Sequence, residues 1–190
     1  TYEERPHVTR VESESGRAFE PERRGRGPNA IRGDARAIER AEVSVEAEYT
    51  IAIEHHNPME PHANIALWDA ARERLTLYDK TQFVPNVREH VARVFGMPEE
   101  NVHVVCPFVG GAFGSSLRVW SHPIVAAMAA REVRRPVKLV LSRRQMCTSH
   151  GHRPYTVQRV ALGAGRDGRL TAIVHEGTAQ TSMYEDYTES

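Results

Sequence analysis

Between residues 84 and 114 the chain is obliged to form a helix, stop, form a strand and then turn on glycine. Val84, Val87, Val91, Val94 and Phe95 recur at helical spacing, and Pro85 suits a first turn. Gly96 suits the left-handed position that ends a helix, and Pro98 prevents its continuation. Val102 to Val105 is a short apolar strand that runs into Gly110-Gly111-Ala112-Phe113-Gly114. The flanks repeat the same vocabulary. Val43, Val45, Ala47 and Tyr49 alternate with polar residues, as a strand requires. Ala63–Trp68 and Leu75–Tyr78 predict a strand pair with its turn over Asp69–Arg74. A second helix is predicted over Ser121–Arg134, with Ser121 as cap, Pro123 in the first turn and Ile124, Ala127, Met128 and Val133 inward. Val137–Leu141 predicts another strand. Thr156–Leu162 and Leu170–His175 predict a hairpin about the turn Gly163–Gly168. This order argues for an α+β class, a mixed sheet with helices packed on one face. No internal repeat is present.

Residues 1–42 read as an extended linker, because Glu20 to Pro28 is charged and rich in Gly and Pro. Residues 43–190 read as one domain. With 190 residues and a hydrophobic fraction of 40%, the chain can build one sizeable core or two small ones. Zero net charge disfavours nucleic acid and anionic lipid as partners. The cations are arginines spread along the chain; Lys80 and Lys138 are the only lysines. Cys106 and Cys147 are too few for a disulfide framework or a zinc ribbon, which fits a reducing compartment. No apolar run has the length of a membrane span, and no signal peptide opens the chain. A cytoplasmic location is expected, with the periplasm as the alternative. Thr1 is not an initiator methionine, and Tyr184 to Ser190 ends in mid-pattern, so a fragment of a longer chain is expected.

Three segments could carry chemistry. The glycine loop, Val109 to Ser116, follows a strand and precedes a helix. Glycines there admit positive φ and close backbone approach, and successive amides can nest an anion. It is neither a Walker loop nor a dinucleotide fingerprint, because the spacing differs. By composition it is either a tight structural turn or a ligand loop. Glu54-His55-His56-Asn57-Pro58-Met59-Glu60-Pro61-His62 holds three histidines and two carboxylates. Its prolines force an extended path and adjacent histidines face opposite ways, which disfavours a metal site within the segment. A buried polar turn bonded to backbone is the other reading. His150-Gly151-His152 is a similar loop pair.

Taken together, these pieces resemble one family. Asn57-Pro58-Met59-Glu60-Pro61-His62-Ala63, Lys80-Thr81-Gln82, Gly110 to Ser115, Arg135-Pro136-Val137-Lys138-Leu139, Gly151-His152-Arg153-Pro154, and Leu162-Gly163-Ala164 with Asp167-Gly168-Arg169-Leu170 occur in this order. The series resembles the molybdenum-binding large subunit of the xanthine dehydrogenase/aldehyde oxidase family, and most of all its bacterial aldehyde-oxidising branch. The resemblance covers roughly Ile31 to the end.

That resemblance implies a first molybdopterin-binding domain, and hydroxylation of aldehydes or N-heterocycles with water as oxygen source. It implies a molybdenum–molybdopterin cofactor, in the cytosine dinucleotide form common in bacteria. It also implies iron–sulfur and FAD modules on partner subunits or other domains, and the rest of the large subunit as a partner. Gly110, Gly111, Ala112, Phe113 and Gly114 match the loop that lies against the cofactor. Glu54 stands where the family has a glutamine that bonds an oxo ligand. A carboxylate donates only when protonated, so His55 or His56 is the alternative donor. Leu117 takes the place of a substrate-orienting glutamate, and Arg118 beside it can orient an anionic group. This disfavours purines and favours an aldehyde or another substrate. Ser116 replaces the usual lysine. The family's general base lies near the far C-terminal end of its subunit, so no catalytic residue and no metal ligand is assigned here. The rival reading is a non-catalytic truncated domain that binds a partner subunit.

Overall fold

A computed structural model describes residues 8, 10–20 and 30–182. The Gly- and Pro-rich run over 21–28 and the tail from Tyr184 lie outside the described residues. Two 3-10 turns, Glu12–Arg17 and Ala35–Arg40, precede strand β1 (Val43–Ile51) and the two-residue strand β2 (Glu54–His55). Then follow β3 (Ala63–Asp69), β4 (Arg74–Asp79), α1 (Val84–Phe95), β5 (Val102–Val105) and α2 (Ser121–Val133). The order continues with β6 (Val137–Val140), α3 (Arg143–Ser149), β7 (His152–Arg153), β8 (Thr156–Ala164) and β9 (Leu170–Ala179).

The chain divides into two compact units. One is built from residues 1–54 and 153–190, the other from His55–His152. This differs from a linker to residue 42 followed by one domain. The reason is pairing: β1 lies antiparallel to β8, with Val43 opposite Ala164 and Ile51 opposite Thr156. Strand pairing therefore binds residues 43–51 to the C-terminal segment rather than to the strands that follow them. The first unit is the antiparallel sheet β1-β8-β9. Asp34 caps the second 3-10 turn by accepting from the Arg36 amide, so residues 35–40 are not extended as expected. Gly163 is required there, because a Cβ would come within 2.7 Å of the Ala41 Cβ.

The second unit is a four-stranded mixed sheet, β5-β4-β3-β6. β3 and β4 form the expected hairpin, with Ala66 opposite Leu77. Asp69 Oδ1 accepts from the amides of Ala71 and Arg72 and so makes the turn. β4 and β5 are parallel, which requires a crossover, and α1 supplies it. α1 ends as its sequence dictates. Gly96 sits at φ 61°, its N–H reaches Arg93 O, and the Met97 N–H reaches Ala92 O.

One face of this sheet carries the core. Ala66, Leu75, Leu77, Val102 and Val104 pack against Val87, Val91 and Ala92 of α1 and against Ala126, Ala127 and Ala130 of α2. The α+β expectation of helices on one face of a mixed sheet holds for this unit. The inward face of α2 differs from expectation. Ile124 and Ala127 face the core as expected, but Met128 is 57% exposed and Val133 is also exposed, and His122, Pro123, Ala126 and Ala130 are buried in their place. Small side chains let the helix backbone approach the sheet, so the alanine stripe wins over the larger apolar residues. Ser121 does not cap; Trp120 holds the cap position without a side-chain bond. α3 is an addition to the expected elements. It starts with a capping box in which Ser142 and Gln145 bond each other's backbone amides, and it buries only Met146. Among the described residues no helix is long and apolar enough to cross a membrane.

The alanine face predicts the response to overpacking. Ala126→Leu should cost roughly 1–3 kcal/mol, because added methylenes have no space. Met128→Ala should cost less than about 1 kcal/mol, since little area returns to water. Urea unfolding of both variants measures this; a larger loss for Met128→Ala would reverse the assignment of the face.

Candidate functional site

The glycine loop makes a tight turn in the second unit. Gly111, Phe113 and Gly114 have φ of 85°, 55° and 93°. The Ser115 N–H reaches Ala112 O at 3.0 Å, so Phe113 and Gly114 are the central residues of a turn with positive φ at both positions. Glycine takes this conformation freely, but Phe113 does so at a cost of roughly 1–2 kcal/mol. Among the described residues, the N–H groups of Gly111, Ala112, Phe113 and Gly114 have no protein acceptor. Four consecutive free donors are what a nest for an oxyanion or oxo group needs. Space is available as well: Cβ atoms at Gly111 and Gly114 would meet nothing closer than 3.9 Å.

Residues 56–62 brace this loop. The Gly110 N–H donates to the Glu60 carboxylate at 2.5 Å, and the Glu60 N–H donates to Gly110 O at 3.3 Å. Lys80 Nζ donates to Glu60 O at 2.9 Å, which ties the brace to the end of β4. Beyond the turn, the Thr81 hydroxyl and the Gln82 N–H both donate to Ser116 O, and the Gln82 side chain accepts from the Ser116 N–H. The three motifs read in sequence as Met-Glu-Pro-His, Lys-Thr-Gln and the glycine loop are therefore one structure.

The expected site residues separate into groups. Gly110 to Gly114 form the loop just described. His56, rather than His55, is beside it: His56 Nε2 lies 3.9 Å from where a Gly114 Cβ would be, and His56 Nδ1 is 3.3 Å from Gly151 O. The His55 ring sits 5.6 Å from the His152 ring. Glu54 belongs to the other unit. Leu117 donates its N–H to Gly114 O and receives the Asn86 side-chain amide on its own carbonyl. Arg118 is exposed next to it. Phe113 is 75% exposed, with Met59 and Phe108 also exposed, so the loop has an apolar rim.

A buried histidine cluster lies behind the loop, and no sequence pattern groups its members. His62 is 1% exposed, and its ring stacks on His150 with centroids 4.1 Å apart. His122 stands 5.3 Å from His62 and 3.6 Å from Asp79 Oδ1. The Trp120 ring meets His150 edge-on. Burial, with the neighbouring His150, Lys80 and His122, pushes the His62 pKa down to about 3. Burial, with His122 and Lys80, pushes His150 down to about 4. Among the described residues no group of three or more His, Cys, Asp or Glu is disposed to hold a metal ion. The arginines, expected to be evenly spread, also gather. Arg72, Arg74, Arg134 and Arg135 line one hollow of about 390 Å³ at the far end of β3. Strand and helix ends distant in sequence meet there, which no local pattern reveals.

Two outcomes follow. Well above pH 6.5 His62 and His150 are neutral folded and unfolded, so these two impose no pH dependence there. As the pH falls through that range the unfolded chain binds protons that folded His62 and His150 refuse, so stability should fall from pH 6.5 down to about 3. Chemical denaturation at pH 8, 6.5 and 5 reads the slope, and His62→Gln with His150→Gln should flatten it; an unchanged slope would show that His62 and His150 are not held neutral. Phe113→Ala should change stability by less than about 1 kcal/mol, against the 3–5 kcal/mol of a buried aromatic, in the same assay.

The comparisons with known proteins agree on one family. A family model for the molybdopterin cofactor-binding domain matches residues 19–190. The aldehyde oxidoreductase molybdenum-binding subunit PaoC of Escherichia coli K12 is 38% identical over 157 residues, covering 78% of this chain and 21% of that protein. The 6-hydroxypseudooxynicotine dehydrogenase complex subunit gamma of Paenarthrobacter nicotinovorans is 32% identical over 158 residues, covering 80% and 20%. Among solved structures, CO dehydrogenase from Oligotropha carboxidovorans superposes with a TM-score of 0.68 at 27% identity, over 74% of this chain and 18% of that one. The aldehyde oxidoreductase of Desulfovibrio gigas gives 0.68 at 25% identity, over 75% and 16%. The chain spans about a fifth of the length of the curated relatives it matches. With its fold, its braced glycine loop and these matches, the chain belongs to the molybdopterin cofactor-binding domain family of the xanthine dehydrogenase/aldehyde oxidase-type molybdenum hydroxylases.

Proposed function

We propose that this chain is part of the large subunit of a molybdenum hydroxylase and contributes the glycine loop of its cofactor site. The observation that carries the reading is the run of four loop amides without a protein acceptor among the described residues, in a loop with positive φ at Gly111, Phe113 and Gly114. A molybdenum–molybdopterin cofactor, in its cytosine dinucleotide form, would rest on Gly110 to Gly114. Bound there, it would supply the two-electron oxidation of an aldehyde or N-heterocycle with oxygen taken from water. Donors on the main chain suit that role, since they are preorganised and leave no side chain in the way. His56 is the side chain best placed to add a donor at Gly114. Leu117 and Arg118, directly after the loop, would face substrate, and the apolar rim of Met59, Phe108 and Phe113 would exclude water from it. The general base is assigned to no residue of this chain. Electrons would leave through iron–sulfur and FAD modules on partner subunits. An aldehyde is favoured over a purine because Leu117 offers no hydrogen bond to a heterocycle.

Gly114→Val tests the reading. At φ 93° a β-branched residue is strained and its methyls enter the open space of the nest. The native protein, produced in a host that makes the cofactor, should lose pterin and molybdenum at least about tenfold, equivalent to roughly 1.4 kcal/mol of binding. Aldehyde oxidation should fall with them. Full pterin content in the variant would overturn the placement of the cofactor on this loop.

A further inference from the structure

The strained turn raises a question that the cofactor reading does not answer. Phe113 holds a left-handed conformation although its ring is 75% exposed, so ring burial offsets little of the strain. Such outliers persist where surrounding groups over-determine them. The surrounding group here is Ser115. Its hydroxyl lies 2.9 Å from Ala112 O, and a carbonyl only accepts, so the serine O–H donates to it. The second contact of that hydroxyl is His62 Nε2 at 3.2 Å. The serine proton is already committed, so His62 must be the donor, which fixes the Nε2–H tautomer. Its Nδ1 is then a bare lone pair, and that atom is buried without a partner among the described residues. A histidine present only to fill the core would satisfy a buried nitrogen or be replaced by an apolar ring. The ring plane is set by His150 stacked at 4.1 Å, and Trp120, edge-on to His150, donates its indole N–H to Ser115 O at 2.6 Å. Ser115 is thus gripped at its hydroxyl and its carbonyl by two rings that share a neighbour.

We propose that His62 is a positioning residue for the glycine loop: its Nε2–H holds the Ser115 hydroxyl on Ala112 O and so keeps the Phe113–Gly114 turn in the shape that receives an oxo or anionic group. The identity of that group rests on the proposed function; the relay itself does not. Imidazole is suited to the task because it presents one directed donor from a rigid ring. A glutamine in place of His62 would present a similarly placed amide donor, whereas a leucine would fill the space and present none.

The test uses the native protein with the subunits that accompany it, and reads amide hydrogen exchange at Ser115, Ser116 and Leu117 beside that of Ile65 and Leu77 in the sheet. His62→Leu and Ser115→Ala should each speed exchange at the three loop amides by roughly tenfold or more, with the sheet unchanged. The double variant should be no worse than either single one, because both break one relay. His62→Gln should restore the slow rates. Unchanged loop exchange in Ser115→Ala, equal damage from His62→Gln and His62→Leu, additive losses, or faster exchange throughout the sheet would each overturn the relay; if His62→Leu does not fold, Ser115→Ala decides. Pterin content, measured by fluorescence on the same samples, separates the two readings. Wild-type protein without pterin but with the expected exchange pattern sinks the proposed function and leaves the relay standing. Normal pterin with unchanged exchange does the reverse.

Discussion

The contact on which the glycine loop depends is the pair of hydrogen bonds between Glu60 and Gly110. They join two segments that have no regular structure of their own and lie 50 residues apart in sequence. A carboxylate on a backbone amide is a strong anchor, and Lys80 fixes the other side of Glu60 through its carbonyl. The prolines on either side of Met59-Glu60, Pro58 and Pro61, limit how far that segment can move. Once Glu60 is set, the start of the loop is set, and the Ala112–Ser115 turn closes against it.

The sheet makes that contact reachable. β3 begins just after His62, β4 ends just before Lys80 and β5 leads toward the loop, so one end of the sheet gathers all three motifs. Ligand sites on sheets containing parallel strands are commonly built where strands end and loops converge. The opposite end carries the arginine hollow. The helices serve the arrangement by packing: α1 carries the crossover between the parallel strands, and the alanine stripe of α2 lets His122 reach Asp79 near the site end.

Much of this is legible in the residues themselves. Pro85, Gly96 and Pro98 bracket α1 because each acts through its own backbone, and the loop announces itself by composition. α3 escapes a reading by periodicity although Ser142-x-x-Gln145 is a capping signal, because a single buried methionine leaves no apolar stripe to read. The inward face of α2 is misjudged when larger residues are ranked above alanine, while the packing distance is set by the sheet. The histidine cluster is beyond sequence reading altogether. His62, His122 and His150 share no spacing rule, and their partnership exists only after β3, α2 and α3 meet. The same holds for the boundary at residue 54, which strand pairing with the C-terminal segment decides.

That boundary has a kinetic meaning. Residues 55–152 form a continuous stretch, and the rings at its two ends, His55 and His152, stand 5.6 Å apart. Val43 and Ala164, by contrast, must find each other across more than a hundred intervening residues, a closure that costs entropy before it gains a single ladder bond. When the inner stretch folds, it brings its own ends together and removes most of that search. A β1-β8-β9 sheet that pairs after that closure meets a smaller entropy cost than one that pairs before it. On a ribosome, β1 emerges more than a hundred residues before the strand it pairs with.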